Sequence, residues 1–231
     1  MSALASQNRA VALLAAAVVV AWAVSIERMS GMDAGPGTDL GGLGWYLGIW
    51  VTMTAAMMLP SAAPLVRRLR RGLPMVVFTA EYLAVWTGYG VAAYALFRLA
   101  IATGWLTWDA GGPYLAGAVI AAAGVYELTP LKARFLRHCR TAAGHSGVAY
   151  GLDCVGCCFG LMAALFALGV MSILWMALVA GVIFAEKVLP HGVTLTRLVA
   201  LVFVVLGIWV VASPASVPGF TEPGGSMEMS P

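Results

Sequence analysis

The sequence predicts an all-α protein, a polytopic transmembrane helical bundle of about seven spans in a single membrane domain over 1–231. Three observations carry that expectation. The chain is 61% hydrophobic and only 10% charged, against roughly 25% charged residues in soluble domains, and its mean hydropathy is +0.92. Apolar runs close to the ~20 residues that cross a bilayer recur along its length. Basic and acidic loops alternate between those runs. Spans of this kind must be helical, because an isolated strand leaves backbone groups unpaired in lipid.

The expected spans are 10–26, 43–65, 74–99, 113–131, 148–169, 170–189 and 194–212. The first is a span or signal anchor. Arg9, the apolar run and Ala21-Trp-Ala23 also resemble a signal peptide with a small-residue cleavage site, and its removal would leave six spans. The segment 213–231 reads as a disordered external tail, rich in Gly, Pro and Ser.

Lysine and arginine in the short loops set the orientation. Arg67, Arg68, Arg70 and Arg71 follow span two, Lys132, Arg134, Arg137 and Arg140 follow span four, and Lys187 and Arg197 flank the turn after span six. The other loops carry Glu27, Asp33, Asp39 and Asp109 against Arg28 and Arg98, and the tail carries Glu222 and Glu228. The expected location is a cytoplasmic (inner) membrane, with the amino terminus cytoplasmic and the carboxyl terminus external. The net charge of +3 is then mostly a topology signal, and no nucleic-acid partner is expected. The bilayer itself is the first partner.

Between spans one and two, Met29-Ser-Gly-Met32-Asp33 pairs methionine with acid, as does Ser226-Met-Glu-Met-Ser-Pro231 in the tail. These segments are either weak collecting sites for a soft cation or solvated loops. Span two holds Thr52-Met53-Thr-Ala-Ala-Met57-Met58-Leu-Pro60-Ser61, then Pro64. Met53 and Met57 share a helix face, as candidate ligands or as flexible packing residues. Pro60 removes a backbone donor and is expected to kink the helix.

Span three places Glu81 about two turns inside the cytoplasmic face, where an ionisable group suggests function or a partner. Glu127 ends span four, Asp153 precedes Cys154 in span five, and Glu186-Lys187 closes span six. These acids either support a metal site and link it to protons, or reach the interface and pair with nearby arginines. Glu186 and Lys187 are adjacent, so their side chains point apart and each needs another partner. The loop from Lys132 to Arg140 has positive charges at the spacing of a membrane-surface helix, and His138 and Cys139 add a nitrogen and a sulfur there.

Span five carries Cys154-Val-Gly-Cys157-Cys158 and Met162. At about 100° per residue, with Cys154 at zero, Cys157 falls near about −60°, Cys158 near about +40° and Met162 near about +80°, so the sulfurs share one face. Gly156 and Gly160 fall on the opposite side, a small-xxx-small pair suited to close helix packing. The alternating topology brings Met57, Met58, the three span-five cysteines, Glu81, Glu127, Asp153 and Glu186 into the cytoplasmic halves of their spans, above His138 and Cys139. Thiolate and thioether ligands favour copper(I), with zinc possible if carboxylate or histidine joins the cysteines. Cysteines facing a reducing compartment are expected to remain free of disulfides.

At these residues the chain resembles a bacterial family described as predicted metal-binding integral membrane proteins, a domain of unknown function. The matching motifs are Met53-Thr-Ala-Ala-Met57-Met58-Leu-Pro60, Tyr126-Glu-Leu-Thr-Pro-Leu-Lys132 with His138-Cys139-Arg140, and Cys154-Val-Gly-Cys157-Cys158. Gly169-Val-Met171, Trp175-Met176 and Glu186-Lys187 also match, so the resemblance covers 43–191 and implies a metal-binding core there. The resemblance implies metal binding, with copper the expected ion. The chain departs from the family pattern at Phe135, where a further cysteine is usual, and at Asp153 and Phe159. The lost cysteine implies weak binding, or none, at the His138–Cys139 loop.

The leading expectation is a membrane protein that binds a soft ion, Cu(I), between spans two and five for storage, insertion or transfer, with a metal-donating or metal-accepting protein as partner. Cys154, Cys157 and Cys158 are the primary ligands, and Met57, Met58, Met53 and Met162 complete the site. Asp153, Glu81, Glu127 and Glu186 support it. Two alternatives stand beside it: a metal transporter, and a membrane thiol oxidoreductase exchanging Cys154 and Cys157 with Cys139 as the resolving thiol. Nothing places a nucleophile beside a base, so hydrolase chemistry has no support, and the chain is not expected to be an enzyme.

Overall fold

The computed structural model describes residues 2–30, 40–66, 73–104, 111–141, 146–170, 172–190, 192–213 and 216. The described residues form eight helices and no strand: α1 (Ser2–Met29), α2 (Leu43–Val66), α3 (Leu73–Ala102), α4 (Gly112–Glu127), α5 (Pro130–Thr141), α6 (Gly147–Gly169), α7 (Ile173–Val188) and α8 (Gly192–Ala212). Each expected span has its helix. Met32 and Asp33, the arginines at 67–71, His145, Met171 and the tail methionines 227 and 229 lie outside the described residues.

Five helices (α1, α2, α3, α6 and α8) are long and apolar enough to cross a membrane, or six spans if the bent pair α4 and α5 counts as one. The expected seven differs because α4 and α7 are only 16 residues each. At a rise of 1.5 Å per residue each is about 24 Å long, short of a ~30 Å hydrocarbon core. Span four also breaks. Pro130 begins α5, Thr129 Oγ1 accepts the Lys132 main-chain N–H at 3.3 Å, and the two helices meet at 65°. Proline fits the first turn of a new helix and disfavours helical geometry in the residue before it.

The basic stretch after span four is helical as expected, but it is not wholly a surface helix. Leu136, Cys139 and Lys132 form its buried side, while Arg134, Arg137 and Arg140 are exposed. Lys132 is fully buried, which corrects its reading as an orienting loop charge. Lys187 is corrected in the same way, being buried near the end of α7.

The core lies around α2 and α6, whose apolar windows are each 61% buried against 11% for α3. Both α2 and α6 pack against α3 and against α7, while α6 also packs on α4 and α5. The four helices α2, α3, α6 and α7 therefore form a ring with α2 and α6 on its diagonal, bridged at one level by the Trp50 and Phe166 rings at 5.4 Å.

Glycines set the closest approaches. A Cβ at Gly117 would lie 2.5 Å from Val211 and 2.7 Å from the Gly207 carbonyl, so α4 and α8 touch nearly backbone to backbone. On α6, a Cβ at Gly156 would meet the Phe135 ring at 2.5 Å, and one at Gly160 would lie 3.0 Å from Glu127 Oε1. The glycine face opposite the cysteines thus receives α4 and α5, as its small-xxx-small spacing predicts. Ser146 caps the start of α6 and Ser172 that of α7. Gly169, at φ 106°, makes the turn between them in a conformation that only glycine adopts readily.

Candidate metal centre

Four cysteines converge where α5 meets α6. The sulfurs of Cys154, Cys157 and Cys158 all lie within 4.8 Å of one another, and all three side chains are buried. Their i, i+3, i+4 spacing on one helix makes this convergence a local consequence of sequence. Cys139, on the buried side of α5, adds a fourth sulfur 3.4 Å from that of Cys157, and Cys157 and Cys158 stand 3.6 Å apart. All four are free thiols. Thiolate–metal bonds near 2.3 Å allow sulfur pairs up to about 4.6 Å apart to share one ion, so the cluster has the dimensions of a metal site without large rearrangement.

Cys154 sits where the ring of helices closes. Its Sγ lies 2.8 Å from Lys187 Nζ on α7 and 3.0 Å from the Tyr82 hydroxyl on α3. Lys187 Nζ also donates to Ser61 Oγ on α2 at 3.4 Å. One side chain from each of the four helices thus meets at a single level. An ammonium against a buried sulfur favours a thiolate by charge and hydrogen bond together, and Lys187 and Tyr82 are both held against Cys154 by the packing of the four helices. Neither Lys187 nor Tyr82 was selected by sequence reasoning. Lys187 counts among the loop charges in the sequence, and its adjacency to Glu186, which requires a separate partner for each, is the signal that it reaches another group.

The methionines fit less specifically. Met53, Met57, Met58 and Met162 are all buried in the same core cluster as the cysteines. The hydrogen-bonded tie between α2 and the cysteines runs through Ser61 and Lys187.

The acids separate into three places. Glu81 Oε2 accepts the Gly147 main-chain N–H at 2.8 Å and so fixes the first turn of α6. Asp153 pairs with His138 Nδ1 at 3.3 Å on the partly exposed side of α5 and α6. Glu127 and Glu186 are buried together, and both bind Lys132, the Glu186 contact being 2.9 Å. Both carboxyls are buried, and among the described residues neither pairs with an arginine side chain. Arg140 instead bonds the main-chain oxygens of Glu186 at 2.9 Å and Leu189 at 2.6 Å, tying α5 to the end of α7. The acids expected at one depth thus divide among a helix start, a partly exposed pair and a buried ion group.

Apolar helices enclose a buried thiol cluster beside a lysine, and the cluster is compatible with a bound metal ion. The chain matches the family model PpoB2, described as copper chaperone, over residues 47–210, and it belongs to that family. The matched region takes in every cysteine, Lys187, Tyr82 and most of the core expected from the sequence motifs. No curated protein and no solved structure matches the chain.

Proposed function

We propose that this protein is a membrane-embedded Cu(I) carrier that loads copper on the cysteine cluster and passes it to a protein acceptor without catalysing a reaction. The observation that carries the reading is the mutual approach of the Cys154, Cys157 and Cys158 sulfurs to within 4.8 Å in a fully buried setting, in a chain of the copper chaperone family. The large exposed aliphatic residues along the outer helices, among them Leu13, Val19, Leu96 and Leu198, support a lipid surround. The loop charges support an inner-membrane orientation with the amino terminus cytoplasmic.

Charge counting admits two ions, and the softness of the sulfur donors favours copper. Cu(I) between two thiolates leaves one negative charge, which the Lys187 ammonium cancels. Zn(II) needs three thiolates beside the same lysine for neutrality, so zinc is the competing ion. Soft sulfur donors favour Cu(I), and low dielectric penalises an uncompensated charge. Cys139 stands at the edge of the cluster at 9% exposure, against 0–1% for the other cysteines, and serves as the sulfur through which copper enters or leaves. Met57, Met58, Met53 and Met162 line the surrounding core as thioether groups within the apolar bundle.

Elemental analysis of protein purified after copper or zinc supplementation tests the reading. Copper retained by the native chain and lost in Cys154→Ser/Cys157→Ser/Cys158→Ser supports it, and equal metal in both sinks it. The 3.4 Å approach of Cys139 and Cys157 favours a second reading, thiol exchange. A trapped mixed disulfide lost in Cys139→Ser would favour oxidoreductase chemistry instead.

A further inference from the structure

The ion group between α4, α5 and α7 is used by nothing in the copper reading. Lys132 is 0% exposed, and Glu127 and Glu186 are each 2% exposed. The lysine Nζ donates to Glu127 Oε2 and Glu186 Oε2. The other carboxyl oxygens, Glu127 Oε1 and Glu186 Oε1, are equally buried and take no hydrogen bond from any described group. One ammonium therefore serves two carboxyls, with two acceptor atoms left over.

Among the described residues, no further cation is bonded to these oxygens. On α4 itself, the Tyr126 hydroxyl is committed to the Gly156 carbonyl at 2.7 Å. From α5, Arg140 is spent on main-chain oxygens. From α6, Gly160 faces Glu127 Oε1, and the titratable groups nearest in sequence are the Cys157 and Cys158 thiols. On α7, Lys187 is turned to Cys154 and Ser61. From α8, Ala200 and Val204 pack against Gly124 of α4. With both acids ionised, the group would carry one uncompensated negative charge in the apolar interior, which is the costly state for buried ions. Two carboxylates sharing a site cannot both ionise readily.

We propose that Glu127 and Glu186 form a binding site for one proton, held between the two carboxyls and making the Glu127–Lys132–Glu186 group electrically neutral. A carboxylic acid, a carboxylate and an ammonium sum to zero charge. The proton also turns one carboxyl into a donor, which relieves the unsatisfied oxygens. The proton belongs to the pair and not to either residue. A metal cation is disfavoured because the Lys132 ammonium already occupies the space between the Oε2 atoms. The site is independent of copper, so it stands or falls apart from the function proposed above.

Infrared difference spectroscopy of the full-length protein in lipid nanodiscs tests this, using the carbonyl stretch of a protonated carboxylic acid at neutral pH. The native chain is expected to show one such band, and Glu127→Gln and Glu186→Gln are each expected to abolish the same band. In both variants the remaining carboxylate pairs alone with Lys132. Lys132→Met is expected to double the band, since both acids must then be neutral. A native chain without the band, or a band that survives both glutamine variants, overturns the proposal, with circular dichroism confirming that each protein is helical. Loss of the native band when choline chloride is replaced by sodium chloride would also overturn it, by showing an alkali cation in the proton's place.

Discussion

The Lys187 ammonium of α7 lies 2.8 Å from the Cys154 sulfur of α6, with both groups buried. A lysine in this setting requires an anion, and the thiolate is the one it touches. The pair gives the cysteine cluster a fixed positive neighbour whether or not copper is bound. It also sets Cys154 apart from Cys157 and Cys158 as the cluster sulfur that Lys187 touches.

Lys187→Met removes that charge while keeping the length of the side chain. Cu(I) affinity, measured by competition with a chromogenic Cu(I) chelator, is expected to fall about 10- to 100-fold, the range typical for lost supporting contacts at metal sites. Lys187→Arg should recover part of it. An unchanged affinity in Lys187→Met would show that the lysine is only a packing residue.

Tyr82→Phe deletes the hydroxyl that stands 3.0 Å from Cys154 and leaves the ring stack with Phe78 and Tyr150 in place. Hydrogen bonds to charged groups contribute about 1.5–3 kcal/mol, so Cu(I) affinity should drop by about tenfold or more. The helical circular dichroism should stay unchanged. Equal copper competition curves for the two proteins would remove Tyr82 from the site.

Gly156 is where α5 seats on α6, and a Cβ there would meet the Phe135 ring at 2.5 Å. Gly156→Ala should destabilise the protein by about 1–3 kcal/mol through overpacking and make Cys139 react faster with a maleimide. Phe135→Leu added to Gly156→Ala should recover much of that loss. A double variant as unstable as the single one would place the strain elsewhere.

Asp153→Asn is expected to leave Cu(I) affinity within about twofold, because Asp153 pairs with His138 on the partly exposed side of α6 and surface pairs of this type contribute about 1 kcal/mol or less. A large loss of affinity would return Asp153 to the metal site.

Much of this arrangement is legible in the sequence where the relevant contacts are local. Cys154, Cys157 and Cys158 converge because one helix carries them at i, i+3 and i+4. Gly156 and Gly160 mark the opposite, docking side for the same reason. The contributions from other helices are not legible, because periodicity does not say which span lies beside which. Tyr82 comes to Cys154 from α3 across 72 residues and Lys187 from α7 across 33. Lys132 was hidden by its neighbours. Among Arg134, Arg137 and Arg140 it reads as one more loop charge, until the bend after Glu127 turns it inward to two acids. The expected count of seven differs from the five or six long apolar helices for a related reason: apolar composition continues through Leu128 and Leu189, but α4 ends at Glu127 and α7 at Val188.

The most direct measurement is the Cu(I) stoichiometry and affinity of the full-length protein in detergent, titrated anaerobically against a Cu(I) chelator beside Cys154→Ser/Cys157→Ser/Cys158→Ser. The account predicts tight binding of copper at the cluster in the native chain, with sulfur-only coordination by X-ray absorption, and its loss in the triple variant. Copper bound equally by both proteins, or by neither, would contradict it.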